Sequence, residues 1–212
     1  MIYEASEIVQ LVVLVVCFAL ALIRALRARN AVQLEVACFF ACMLLGNVYY
    51  YGFVVVFDDF PHYSYIADLS WIAGYVFLLM LMIQCEHERG PVAPIPAAWI
   101  PVGVSAACCA AYIYVNGYPL LNLADNGLVA ALGFFAVRGL VARPEEELAP
   151  GLATSKPLHA AVFAFFVVEQ ALWLSSLIPD AGPDYVVYTA FNYALTLIYA
   201  TILACSWRHD GL

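Results

Sequence analysis

The chain has 212 residues, 66% of them hydrophobic and only 11% charged, with a formal net charge of −8. Average soluble chains are about 45–50% apolar and about 25% charged, so this composition excludes a soluble globular domain. Residues 36–57, 69–85, 90–124 and 185–207 carry no charged side chain, and a helix crossing a bilayer needs about 20 apolar residues. In chain order the pattern predicts seven spans, near residues 8–26, 32–57, 65–85, 97–115, 123–141, 158–178 and 185–207. The breaks carry helix-stopping chemistry: Pro61, the run 90–96 with Pro91, Pro94 and Pro96, then Gly117 and Pro119, Pro144 and Pro157, and Pro179 and Pro183. Span 1 has an acidic leading segment (Glu4, Glu7) and a basic trailing end, which marks a retained span rather than a signal peptide. The expectation is one all-α transmembrane domain over residues 1–212, a seven-helix bundle with no room for a soluble catalytic domain.

The eight basic residues fall into four groups: Arg24, Arg27 and Arg29; Arg89; Arg138, Arg143 and Lys156; and Arg208. Seven spans place all of them on one side, which the positive-inside rule makes cytoplasmic. The N-terminus and the loops with Asp58, Asp59, Asp180 and Asp184 then face outward, giving an N-out, C-in protein of the plasma (inner) membrane.

Charged or polar groups inside a bilayer cost at least about 2.5–3.5 kcal/mol on insertion scales and usually face the bundle interior. Glu169, near the middle of span 6 and followed by Gln170, is the strongest such group; an acid there is protonated or paired. It holds a ligand, or it donates a single interhelical hydrogen bond and ties the bundle together. Trp173 continues its face. Asp68, Trp71 and Tyr75 share a face of span 3, Tyr188 and Asn192 one of span 7, and Asn47 precedes Tyr49, Tyr50 and Tyr51 in span 2. The expected ligand-binding set is Asn47, Tyr50, Asp68, Trp71, Tyr75, Glu169, Trp173, Tyr188 and Asn192, an outward-open acidic and aromatic pocket suited to cations, amines or protons. Outer tyrosines also form ordinary interfacial belts. Asp125 and Asn126 read as the cap of span 5. Near the basic ends, Glu35 either pairs with Arg24 or Arg138 as an inner gate or extends to the interface.

Other chemistry is sparse. Cys17, Cys38, Cys42, Cys85, Cys108, Cys109 and Cys205 lie inside or at the ends of spans and read as small apolar residues. Cys38 and Cys42, at i, i+4, are the one pair spaced for a metal, and no CxxC or CxxCH occurs. His62, His87, His159 and His209 sit in loops or at span ends, with no haem-like pair and no HxxxH or HExxH pattern. Glu145, Glu146 and Glu147 read as a solvated loop. No catalytic set, metal or cofactor is expected, and no nucleic acid; an intramembrane enzyme using Asp68 and Glu169 is the weaker reading. Span 4 has small-xxx-small spacing through Ala106, Ala107, Ala110 and Ala111, which predicts close packing, including against a second copy.

An internal repeat is also legible. Arg24, Leu26, Ala28 and Arg29 coincide with Arg138, Leu140, Ala142 and Arg143 at a constant offset of 114. An offset of 122 pairs Tyr51 with Trp173, Asp58 with Asp180, Pro61 with Pro183, Tyr63 with Tyr185, and Asn47 with Glu169. Residues 1–89 and 121–208 then form parallel three-helix repeats joined by span 4, an arrangement that places a substrate site where the halves meet. This 3+1+3 order resembles the sugar-transporter and PQ-loop families and, more loosely, the microbial rhodopsins. The Pro-Gln pair of the PQ-loop family is missing, and span 7 has no lysine, which excludes a retinal Schiff base. The stretch from Ala67 through Asp68, Trp71 and Gly74 to Tyr75 is similar to the third helix of multi-span sensor domains that precede bacterial histidine kinases and diguanylate cyclases. Two functions follow. One is a membrane sensor or receptor-like protein that binds a small ligand in the outer pocket and acts on a separate cytoplasmic effector or a second copy. The other is a small-molecule or proton-coupled transporter in which Glu169 cycles a proton. Membrane lipid is the expected surrounding in both.

Overall fold

A computed structural model describes residues 2–57, 65–89, 94–117, 119–142, 155–175, 177 and 186–207, and all structural statements concern these. They form seven long helices and no strand: α1 (Ile2–Ala28), α2 (Ala31–Phe57), α3 (Tyr65–Arg89), α4 (Trp99–Asn116), α5 (Pro119–Val141), α6 (Lys156–Ser175) and α7 (Val186–Trp207). A short 3₁₀ turn, Pro96–Ala98, leads into α4. All seven are long and apolar enough to cross a membrane, so the chain is a multi-pass membrane protein. Local chemistry accounts for the helix ends. Asn30 caps α2 through a hydrogen bond from the Val32 amide (2.9 Å), and Ser155 caps α6 by accepting from the Leu158 amide (3.4 Å). Pro119 opens α5, a position where its missing N–H costs nothing.

Six helices close a ring in the order α1, α2, α3, α5, α6, α7, with α7 returning to α1. α4 stands outside it, packed on α5 and along one edge of α6. The polarity of this ring is the reverse of a soluble protein. Val12, Val15, Val16, Leu45, Val48 and Leu197 point outward, while Gln10, Asn47, Gln170 and Asn192 are buried inside. One end of the bundle gathers Arg24, Arg27 and Arg138 and is called here the arginine end; the opposite end gathers Glu4, Glu7, Asp68 and Asp125 and is the acidic end. At the arginine end the last carbonyls of α7, which a helix leaves unpaired, accept from neighbouring helices. Gln33 Nε2 reaches Ser206 O (3.2 Å), and Arg24 Nη2 reaches Trp207 O (2.9 Å) with its guanidinium 5.5 Å from the Trp207 ring centroid. Arg138 forms an ion pair with Glu86 of α3, not with Glu35, and Glu35 Oε2 is buried without a hydrogen-bond partner. The gate expected between Glu35 and Arg138 is therefore absent, because the ring sets α3, rather than α2, beside α5.

Between the two ends the ring is filled. Phe39, Phe40, Phe165 and Tyr199 meet at centroid separations of 5.0–6.4 Å, with Leu14, Leu78 and Leu132 fully buried around them. Gly46 and Gly139 make the tightest of the close helix approaches that depend on glycine. A Cβ at Gly46 of α2 would overlap the Trp71 indole of α3, and one at Gly139 of α5 would overlap the His159 imidazole of α6.

Several boundaries differ from expectation. α1 starts at Ile2, so Glu7 lies inside a helix rather than ahead of it. α5 starts at Pro119, which puts Asp125 more than a turn inside the helix and removes its role as a cap. In both cases polar residues that look like a flank in a hydropathy profile face the ring interior and prolong the helix. α3 continues to Arg89, and α6 begins at Lys156 with Pro157 in its first turn. The alanine face of α4 does not pack tightly within the chain: Ala106, Ala107, Ala110 and Ala111 are all exposed, since α4 meets α5 and α6 through its other side. All seven cysteines are free. Asp58, Asp59, Pro61, His62, Tyr63, Arg143, the 145–147 acidic run, Asp180, Pro183, Asp184, Tyr185, Arg208 and His209 lie outside the described residues.

Candidate functional site

The acidic half of the ring holds a continuous set of polar side chains above the aromatic filling. On the α1–α7 side, Asn192 is the hub. It accepts from Gln10 Nε2 (2.8 Å) and donates through Nδ2 to Ser6 Oγ (3.2 Å) and Glu7 Oε1 (3.0 Å). Ser6, Glu7 and Gln10 share one face of α1 because they sit three to four residues apart. That face continues to Leu14 and Cys17, and all of it is buried. One turn further along α7, Thr196 bonds back to the Asn192 carbonyl (2.8 Å).

At the centre the Tyr75 hydroxyl donates to the Glu169 carboxylate, joining α3 to α6. Glu169 is only 4% exposed. It lies 13 residues along α6, about 20 Å at 1.5 Å per residue, just past the middle of the helix on the side of the acidic end. Tyr188 of α7 lies within electrostatic reach of Glu7, Tyr50, Glu169 and Tyr112, so it stands between the two polar groups.

On the α3–α5 side, Asp125 interacts with both Glu169 and Asp68. Asp125 is 5% exposed, and its Oδ2 has no hydrogen-bond partner. Neighbouring Asn126 accepts from Gln170 Nε2 (3.2 Å), which also donates to Ser105 Oγ of α4 (3.3 Å). Asn122, one turn away, donates to Gly117 O (2.7 Å) and fastens the α4–α5 turn. Thr189 Oγ1 of α7 is likewise buried without a partner.

Of the expected ligand set, Tyr75, Glu169, Tyr188 and Asn192 belong to this interior, and Asp68 joins it through Asp125. Tyr50 and Trp71 pack against each other at 6.0 Å between α2 and α3. Asn47 is buried, but its amide donates to Met43 O of its own helix (2.8 Å). Trp173 turns toward α4 and meets Tyr112 at 5.2 Å, so it does not share the centre with Glu169. Ser6, Glu7 and Gln10 do not stand out in the sequence, where Asp125 reads as a cap. The three- and four-residue spacing from Glu7 through Gln10, Leu14 and Cys17 to Ala21 was the available signal.

Chemically the arrangement is a buried acidic cluster, called the acidic chamber below for its place between the helices. Glu7, Asp68, Asp125 and Glu169 converge from four helices, and every Lys and Arg of the described helices belongs to the arginine end. Among the described residues no group of three His, Cys, Asp or Glu is placed to hold a metal ion. No protein family, curated protein or solved structure matches the chain.

Proposed function

We propose that this protein is a membrane sensor or receptor-like protein that binds a small organic cation in the acidic chamber. The carrying observation is the uncompensated acid: Asp125 Oδ2 is buried, lacks a partner and has Glu169 and Asp68 as neighbours. A buried charge without a partner is expensive, and a bound cation relieves both the desolvation and the like-charge repulsion. Tyr188 and neighbouring Tyr50 offer aromatic faces and hydroxyls that suit an ammonium group. The positive-inside rule turns the acidic end outward, toward ligand in the external medium, and the arginine end toward a cytoplasmic effector of the plasma membrane. Phe39, Phe40, Phe165 and Tyr199 close the chamber on the arginine side, which favours binding and signalling over passage.

The repeat supports the second reading, a transporter. Under the 122-residue offset six buried positions of α2 fall on buried positions of α6, Val36 on Leu158, Ala37 on His159, Phe39 on Ala161, Phe40 on Val162, Met43 on Phe165 and Asn47 on Glu169, while buried Gly46 falls on half-buried Val168. Ring neighbours also exchange in pairs, α3 with α5 matching α7 with α1. The 114-residue offset does not extend this to α1 and α5, where buried Leu14 and Cys17 would fall on half-buried Leu128 and Ala131.

Benzyltrimethylammonium is the first probe, followed by tryptophan fluorescence and calorimetry on the full chain in nanodiscs. Saturable binding that weakens about tenfold or more in Asp125→Asn and Glu169→Gln is expected, tenfold being about 1.4 kcal/mol. Binding untouched by both substitutions would overturn the site. Saturable uptake of the same cation into liposomes, lost in Glu169→Gln, would replace the sensor by the transporter.

A further inference from the structure

A groove of about 430 Å³ runs between α4 and α6, outside the ring. Its walls are apolar, with Ile100, Val104, Phe163, Phe166 and Val167 prominent, and Gln170 is the single polar side chain among its lining residues. Ile100, Val104 and Val167 are each more than 40% exposed, so in a bilayer the groove opens sideways into the hydrocarbon. The volume lies within the range of small-molecule sites, about 300–1,000 Å³.

Gln170 makes the groove more than a lipid-facing crevice. Its Nε2 is used twice, by Ser105 and Asn126, while its Oε1 is buried with no hydrogen-bond partner. An unpaired carbonyl oxygen away from water is costly, and the bilayer supplies no water to satisfy it. The lining runs from Ala97, in the turn ahead of α4, to Cys108 on α4 and from Phe163 to Leu174 on α6, twelve residues each, or roughly 16 Å along the axis. Gln170 divides that length into about 10 Å of apolar groove toward the arginine end and about 6 Å toward the acidic end.

We infer that the groove is a binding site for a membrane-dissolved, chain-like alcohol, whose hydroxyl donates to Gln170 Oε1 and whose apolar body lies along α4 and α6. A hydroxyl fits because the site offers one unused acceptor and no charge. A fatty-acid carboxylate would bring an acceptor to an acceptor, and an ammonium would find no counter-charge in the groove. The bound alcohol would also join α4 to the polar set around Asn126, next to Asp125. The inference does not depend on what occupies the acidic chamber.

The test uses a photoactivatable diazirine derivative of 1-dodecanol and the matching derivative of dodecane, on the full chain in nanodiscs. The alcohol should give saturable labelling within residues 97–108 and 163–174, roughly tenfold stronger at low occupancy than the hydrocarbon, the ratio that about 1.4 kcal/mol produces. Gln170→Leu should bring the two probes level. Val104→Trp, which fills the groove from its rim and leaves the Gln170 hydrogen bonds in place, should abolish saturable labelling by either. Equal labelling of the wild type by both probes would assign the groove to ordinary acyl chains and overturn the inference. So would labelling that Val104→Trp leaves unchanged. Should Gln170→Leu fail to assemble, the two-probe comparison on wild type and the Val104→Trp variant decide the matter alone.

Discussion

Asp125 and Gly46 show how single residues are constrained inside this ring. Asp125 carries an unpartnered oxygen beside two further acids, so Asp125→Asn should stabilise the empty protein while weakening cation binding. A gain of about 1 kcal/mol corresponds to about 2–4 °C in a chain of this size, readable in a thermal melt in detergent. A lower melting temperature would show that the acid is already compensated. Gly46 acts through space rather than charge. Its missing Cβ makes room for the Trp71 indole, and Gly46→Ala should cost about 1–3 kcal/mol by overpacking. The same substitution should shift tryptophan emission, because Trp71 also packs on Tyr50; an unchanged spectrum would argue against that contact. Some of this was legible in the sequence. Tyr75, Glu169 and Asn192 stand out as polar groups within apolar runs. Glu7 and Asp125 do not, because they sit where an apolar run fades into a polar flank, and hydropathy cannot say whether the helix has already begun.

At the scale of elements, α4 behaves differently from the other six helices. It lies outside the ring and exposes Ala106, Ala107, Ala110 and Ala111, whereas Ser105 on its other side is buried against Gln170. Exposed apolar substitutions away from specific contacts usually stay within about 0.5 kcal/mol, so Ala106→Leu and Ala110→Leu should leave the melting temperature nearly unchanged. Ser105→Leu should lower it clearly, through overpacking and loss of a buried hydrogen bond. Light scattering on the alanine variants separates two roles for that face. An unchanged mass leaves α4 facing lipid, and a drop in mass makes it the contact with a second copy. The small-residue spacing was visible in the sequence, but spacing reports only that a close approach is allowed, not which side of the helix receives it.

The whole molecule presents two ends of opposite character, and that asymmetry governs how it would sit in a membrane. On the proposed orientation, acidic end outward, a cysteine replacing exposed Glu4 in a cysteine-free chain should react with an impermeant maleimide from outside, and one replacing exposed Arg27 only after the membrane is opened. External labelling at Arg27 would reverse the orientation. Closure of the ring has its own check. Gln10→Cys with Asn192→Cys replaces a 2.8 Å hydrogen bond between the first and last helices, and a short bis-methanethiosulfonate reagent, which spans more than a disulfide can, should cross-link them. Failure to cross-link would open the ring between α1 and α7.

The number of helices, their approximate limits and their membrane character were determined by the sequence alone, because each depends on the transfer of consecutive side chains out of water. Ring order was not. Helices already surrounded by hydrocarbon gain little from burying more apolar surface against one another, so their neighbours are chosen by packing and interhelical hydrogen bonds. Only the tertiary structure could therefore set α3 against α5, leave α4 outside, pair Arg138 with Glu86 instead of Glu35, and bring Glu7 and Asp125 into one chamber with Glu169.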